Sequence, residues 1–414
     1  MNSRERILAA IQHREADRIP FDLGATPSSG ISVVAYQNLL KYLGLEHLKT
    51  HVYDVVQEVA QPEMELLDLL GVDVLDVGRA FNTDRDYWRM LEPIKGYPGL
   101  YPHWFDARPQ EDRSWLAYNN QGEAIGRMPE GATFFDQTVF PYLDAYPEDY
   151  SQLDAAMNRT VWGGFGFTPW DRLDQEDFWT MLRTKTLEYK EHTDKALLIG
   201  VGCNLFEWGT FLRRMDNFLT DLLMQPDEVH RLLDALMAKH MDFLAHVCDA
   251  LGDIVDIIKF GDDLGMNSGP FIPTETYDEF FKPRQKQMCD YVKSHSSMAT
   301  MLHCCGGIYE LIPGLIEAGF DILNPVQINA VNMEPERLKG EFGKDIVFWG
   351  GGANTKSVLN NATPEQVKDH VKRNMDVFSV EGGFVFNTVH NIMPDVPPQN
   401  IMAMVEAVQE YTLN

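Results

Sequence analysis

The residues best suited to chemistry are gathered in one short run, Met301-Leu-His-Cys-Cys-Gly-Gly. In a β-strand successive side chains alternate between faces, so His303 and Cys305 point one way and Cys304 the other. A His-x-Cys pair offers one imidazole and one thiolate to a single metal ion, a combination that suits zinc. Two ligands do not make a site. A third lies in Phe386-Asn-Thr-Val-His-Asn, where His390 stands just past another apolar run. One cysteine with two histidines meets the three-ligand pattern of catalytic zinc, which leaves a position for substrate. The competing reading is structural: a buried cysteine often serves as a small core residue, and a strand-end histidine often bonds a carbonyl.

Carboxylates recur at matching places. Asp22 ends an early apolar run, Asp73 and Asp76 lie in the next, Glu207 follows a third, and Asp262 and Asp263 follow a fourth. Such groups can hold substrate, move a proton or complete a metal's coordination; a strand-end Asp can equally cap a helix or a turn. Glu207 and Asp262 are the preferred catalytic pair, since each follows an apolar run directly and has Gly or an aromatic beside it. Asp22, Asp76 and Asn324 are expected among the groups that bind substrate. Gly350-Gly-Gly-Ala-Asn offers backbone N–H groups to an anion, or simply a tight turn.

The elements that must position these residues show a clear rhythm. Short apolar runs fall at 19–24, 72–78, 197–204, 254–265, 299–307, 321–327, 346–352 and 383–391. Helical patterns separate the later ones, at 227–251, at 274–293 and after Thr363-Pro-Glu-Gln, a strong helix start with Thr as cap and Pro at the first helical position. Eight strands alternating with helices predict an α/β fold, a (β/α)8 TIM barrel whose strand ends carry the site. Residues 79–170 break the rhythm with aromatics, Gly and Pro. They read as an aromatic-rich insertion near the barrel mouth, with a hairpin turn at Asn120-Gln-Gly. Its aromatics suit either a methylated or aromatic ligand or plain packing. One domain over 1–414 is expected.

The chain has 414 residues, with 35 Lys+Arg against 62 Asp+Glu and a formal net charge of −27. Nucleic acid and anionic membrane are bound through Lys and Arg, so neither is an expected partner. No apolar stretch is long enough for a spanning helix, and the opening segment has charge on both sides of its apolar part, unlike a signal peptide. Five cysteines, two of them adjacent, do not form a disulfide framework. A reduced, cytoplasmic protein is expected.

Several segments together resemble the uroporphyrinogen decarboxylase superfamily: RERILAAIQHREADRIP, HCCGG, DILNPVQ, FWGGGANTKSVLNNATPEQVKDHVKRNM and PDVPPQNIMAMVEAV. Members of that superfamily are (β/α)8 barrels. True uroporphyrinogen decarboxylases carry an Arg-Gln-Ala-Gly-Arg segment after the first strand, where this chain has Asp22-Leu-Gly-Ala-Thr-Pro-Ser-Ser-Gly and no arginine. The other large branch, the cobamide-dependent methyltransferases, is similar in its His-x-Cys zinc pair, which maps onto His303 and Cys305. Their third ligand is usually a cysteine before the last Pro-rich turn; His390 holds that place here. The resemblance implies zinc, a small methyl donor or acceptor (thiol, methyl ether or methylamine type), and a corrinoid carried by a partner protein. The alternative it implies is a metal-independent decarboxylase or lyase, with Asp73 or Asp76 as the working carboxylate.

Overall fold

The computed structural model describes residues 1–412. Its centre is a curled parallel sheet of seven strands: β1 (Val74–Asp76), β2 (Ala196–Gly202), β3 (Ile257–Gly261), β4 (Ala299–His303), β5 (Ile322–Asn324), β6 (Val347–Trp349) and β7 (Phe384–Val385). Spatial order follows chain order, and every neighbouring pair is parallel. Each strand falls inside one of the apolar runs except β2, which begins one residue before its run, at Ala196. The eighth run, at 19–24, forms no strand of its own but bonds to both edges of the sheet. The Asp22 N–H donates to Phe386 O at 2.9 Å, the Phe386 N–H to Pro20 O at 2.8 Å, and the Asp73 N–H to Phe21 O at 2.8 Å. Pro20 has no N–H to give, so the ladder there shrinks to the single Phe21–Phe386 bridge.

Helices cover the convex face. Ser3–Ile11 is the exception: it lies against β1, β2 and β7, and its Ile7 and Ala10 join the apolar cluster on the concave side. Pro226–Leu251 and Lys282–His295 match two of the expected helices. The second is preceded by a wide turn over Tyr277–Phe281, so the expected 274–293 helix is not uniform. Pro364–Phe378 starts as read: the Thr363 hydroxyl accepts from Gln366 N–H, while Gln366 Oε1 accepts from Thr363 N–H at 3.0 Å.

Alternation sorts the sheet into two inner layers. Val74, Leu198, Ile257, Met301, Ile322 and Val347 form an apolar floor on the concave face. Two residues on along each strand stand Asp76, Gly200, Lys259, His303, Asn324 and Trp349. The floor is dry and packed; the layer above it is polar.

The 79–170 segment is built of short antiparallel strands. Trp88–Leu91 and Gly99–Pro102 extend a sheet begun by Ile31–Ser32, His51–Asp54 and Val59–Gln61, and a four-stranded sheet follows. The Asn120 turn does join two antiparallel strands, Trp115–Tyr118 and Ala124–Met128, with Asn119 Oδ1 accepting from the Gln121 and Glu123 N–H groups. Phe105 packs on Tyr101, Phe135 and Phe165 with ring centroids 5.4–5.8 Å apart, so these aromatics are packing anchors. Trp170 Nε1–H donates to Gly200 O at 2.7 Å, tying the segment to β2.

The Gly350 run is a packing turn. Gly350 has φ +128, and a Cβ there would lie 2.0 Å from Pro325 O. Asn374 Nδ2 donates to the Gly351 and Gly352 carbonyls at 3.0 and 3.1 Å, fixing the turn from behind. Gly350→Ala is expected to lower stability by about 2–4 kcal/mol through backbone strain and overpacking. Urea titration would register this as an earlier midpoint at unchanged slope.

Candidate metal centre

β4 ends at His303, and the chain then bends through Cys304 and Cys305. Gly306 makes the bend possible: its φ is +94, and a Cβ would sit 2.2 Å from the Gly265 carbonyl carbon. The buried Cys304 turns away, its sulfur accepting the Leu264 N–H at 3.3 Å. Cys305 turns inward, with Sγ 3.4 Å from His303 Nε2. His390 comes from the loop after β7 and crosses the concave face to reach them. That loop is anchored by backbone bonds from Val389 N–H to Ala353 O and from Ile392 N–H to Gly30 O, each 2.9 Å. The two imidazole centroids are 5.7 Å apart. One ligand atom each from His303, Cys305 and His390 lies within 4.8 Å of the others. Ligand atoms sharing a tetrahedral zinc are about 3.5 Å apart; the Cys305–His303 pair has that separation, and the set fits such an ion in donor type.

Neighbouring amides fix which ring nitrogen is free. Asn324 Nδ2 donates to Trp349 O at 2.9 Å, and its Oδ1 accepts from His303 Nδ1–H at 2.8 Å. The His303 Nε2 lone pair is therefore left facing Cys305. His390 Nδ1 lies 2.8 Å from Asn391 Oδ1. Imidazoles oriented by an outer hydrogen bond are typical of metal ligands. Burial, then the Lys259 charge, pushes His303 down to about 3, so it is neutral at physiological pH. Burial, with Asp263 beside it, raises the Cys305 thiol well above its ordinary value.

The carboxylates take distinct positions. Asp262 accepts the Glu207 N–H at 3.0 Å and the Gln285 amide at 3.2 Å, which fixes the start of the helix Phe206–Arg213. Burial raises Asp262 to about 7. The Glu207 carboxylate bonds the Asn204 amide, and burial plus the charges of Asp263 and Asp262 push it far above the carboxylate range. Asp263 is the acid nearest the three ligands: it accepts the Cys305 N–H at 2.8 Å and lies 3.7 Å from His303 Nε2. Asp22 is held by Trp349 Nε1–H at 2.9 Å, and burial raises it to about 6. Asp76 stands in the polar layer on the far side, raised by burial to about 7. Asn324 has its amide engaged with His303 and Trp349. Asp73 lies at the other end of β1, buried between Arg6 and Arg18 at 2.7 Å from each.

Lys259 has no counterpart in the sequence reading. It stands mid-layer, and its charge acts on Glu207, Asp263, Cys305 and Asp22, and on Asp76. The signal was present: a single lysine in an otherwise apolar strand, at the parity of the inward-facing Ile257.

Comparison with known proteins places the fold first. A methyltransferase from Methanosarcina mazei superposes over 99% of both chains with a TM-score of 0.57 at 15% identity; at that identity the likeness is one of fold. The sequence pattern described as Uroporphyrinogen decarboxylase (URO-D) matches residues 178–411, more than half of the chain. The chain belongs to the uroporphyrinogen decarboxylase family. Curated relatives include the uroporphyrinogen decarboxylase of Chloroherpeton thalassium, 23% identical over 45% of this chain and 49% of that protein. That of Methylococcus capsulatus is 25% identical over 53% of this chain and 61% of its own length. The match thus spans about half to three-fifths of those relatives. Among the described residues no helix is long and apolar enough to cross a membrane.

Proposed function

We propose that this protein is a zinc-dependent methyltransferase that moves a methyl group between a small substrate and a separate corrinoid protein. The observation that carries the reading is the convergence of His303 at the end of β4, Cys305 just past it and His390 from the loop after β7, with ligand atoms within 4.8 Å of one another. In the same reading the chain is a single (β/α)8 barrel domain, with the 19–24 segment as the eighth stave.

The chemistry supplied by bound zinc is Lewis-acid stabilisation of the heteroatom that loses or receives methyl. The chain's own residues prepare that event. Asn324 holds the His303 imidazole with Nε2 free, and Asn391 lies against His390 Nδ1. Asp263 fixes Cys305 through its backbone N–H. Glu207, its carboxyl pushed up by burial and by Asp263 and Asp262, is suited to giving a proton to a leaving heteroatom. Lys259 offsets the surrounding carboxylates, so the polar layer does not repel an electron-rich substrate.

Methyl transfer to reduced cobalamin, followed spectroscopically with a panel of thiols, methyl ethers and methylamines, tests the proposal. A turnover lost on chelation and restored by zinc is expected. The family's description and the raised Asp76 favour a second reading, metal-independent decarboxylation; it requires carbon dioxide release that survives chelation. The missing arginine segment after the first run weighs against a polycarboxylate porphyrin as the substrate.

A further inference from the structure

Beside the first two staves lies a cluster of polar side chains whose donors have nothing to bond. Tyr53, Gln61 and Arg79 are 6%, 8% and 9% exposed. Among the described residues, the Tyr53 hydroxyl, Gln61 Nε2, Arg79 Nε and Arg79 Nη2 have no hydrogen-bond partner. Their remaining polar atoms are engaged and fixed: Arg79 Nη1–H donates to Pro62 O at 2.7 Å, and Gln61 Oε1 accepts from the Asn82 amide at 3.1 Å. Tyr53 and Gln61 sit on paired strands, in a register that sets His51 opposite Gln61. Arg79 Nη2 lies 3.8 Å from where a Cβ on Gly24 would be, so it faces the loop that follows the first run.

Every unpaired group here can donate, and one belongs to a permanently charged guanidinium. A buried cation without an anion is costly, and orphaned buried donors add to that cost. Among the described residues no acid lies within ion-pair distance of Arg79; Asp76, on which its charge acts, makes no hydrogen bond to it. Asp54 accepts the Val56 and Gln57 N–H groups at 3.0 and 2.9 Å, and Asp22 is held by Trp349. Burial also raises Asp22 and Asp76 to about 6 and 7, which blunts their repulsion of an incoming anion. The cluster shares the strand-end side of the sheet with the candidate metal centre, since Arg79 follows Asp76 at the end of β1. Lys259 lies between, within electrostatic reach of both Asp76 and Cys305.

We propose that Arg79, Tyr53 and Gln61 form a carboxylate-binding subsite, so that the substrate is a small methylated carboxylic acid. Its acid group sits at Arg79, and its methyl-bearing heteroatom points toward His303, Cys305 and His390. The second half of this statement rests on the methyl-transfer reading; the subsite itself does not.

Calorimetric titration of the purified protein with acetate and benzoate, each against its uncharged amide, tests the subsite. At least one acid is expected to bind, about tenfold or more tighter than its amide, because a forked guanidinium–carboxylate bond is lost with the charge. Arg79→Gln should remove that preference and Arg79→Lys should keep part of it. Tyr53→Phe deletes a hydroxyl that has no partner in the free protein, so it should weaken binding several-fold while leaving the thermal midpoint unchanged or higher. Equal affinity for acid and amide, no binding of either acid, or full affinity in Arg79→Gln overturns the subsite. Cys305→Ser keeps the acid preference even where the metal reading fails, so the two failures are told apart.

Discussion

Cys305→Ser and His390→Ala are each expected to strip the protein of zinc, with metal content by mass spectrometry falling from near one per chain to background. Removing one of three protein ligands takes away a metal–ligand bond outright, whereas loss of an outer hydrogen bond alone already costs about 10–100-fold in affinity. Asn324→Ala should show that smaller loss, because His303 keeps its place in β4 and only loses the bond that orients its ring. The pH dependence follows from the thiol. Burial and Asp263 keep Cys305 protonated in the metal-free chain, so metal capture must displace its proton. His303, pushed down to about 3, is already neutral and releases none. Zinc affinity should therefore rise about tenfold per pH unit through the neutral range on account of Cys305. Calorimetry in buffers of different ionisation enthalpy would count the proton. Metal content unchanged in both ligand variants would sink the site.

The second large effect lies at the opposite end of the sheet. Asp73→Asn is expected to destabilise the protein by about 3 kcal/mol while leaving its metal content intact. The Asp73 carboxylate is fully buried and holds Arg6 and Arg18 at 2.7 Å each. It also accepts the Phe21 N–H at 2.9 Å, in the segment that links the two sheet edges. Neutralising it leaves Arg6, itself almost buried, with only the half-exposed Asp17. Denaturant unfolding with and without excess zinc separates this loss from any effect at the strand ends. An unchanged midpoint would show that the clamp contributes nothing.

Much of this was legible in the chain, for reasons that differ by residue. The long apolar runs announced the strands because both faces of the sheet are covered, leaving little room for polar residues. His303 and Cys305 stood out because alternation alone puts them on one face. His390 was legible as a strand-end histidine, although nothing local shows how far its loop crosses. Lys259 was missed because a lone lysine in an apolar run reads as an edge, and only the register places it inward. Tyr53, Gln61 and Arg79 were missed for another reason: the strands at His51–Asp54 and Val59–Gln61 have only four and three residues, too few to show a period. The preference for Asp262 over Asp263 came from position along the chain; the bend after β3 makes Asp263 the one beside Cys305.

The bridge between the two edges also sets a timetable for synthesis. Asp22 and Phe386, joined by the Asp22 N–H to Phe386 O bond, are about 360 residues apart. At ordinary ribosomal rates the second emerges about 20–70 s after the first. The early segment must wait that long beside its Asp73 clamp before the last strand arrives. The same late loop carries His390, so a nascent chain that has not reached it holds only His303 and Cys305, two of the three. The three candidate ligands therefore come together only when the sheet's two edges are joined.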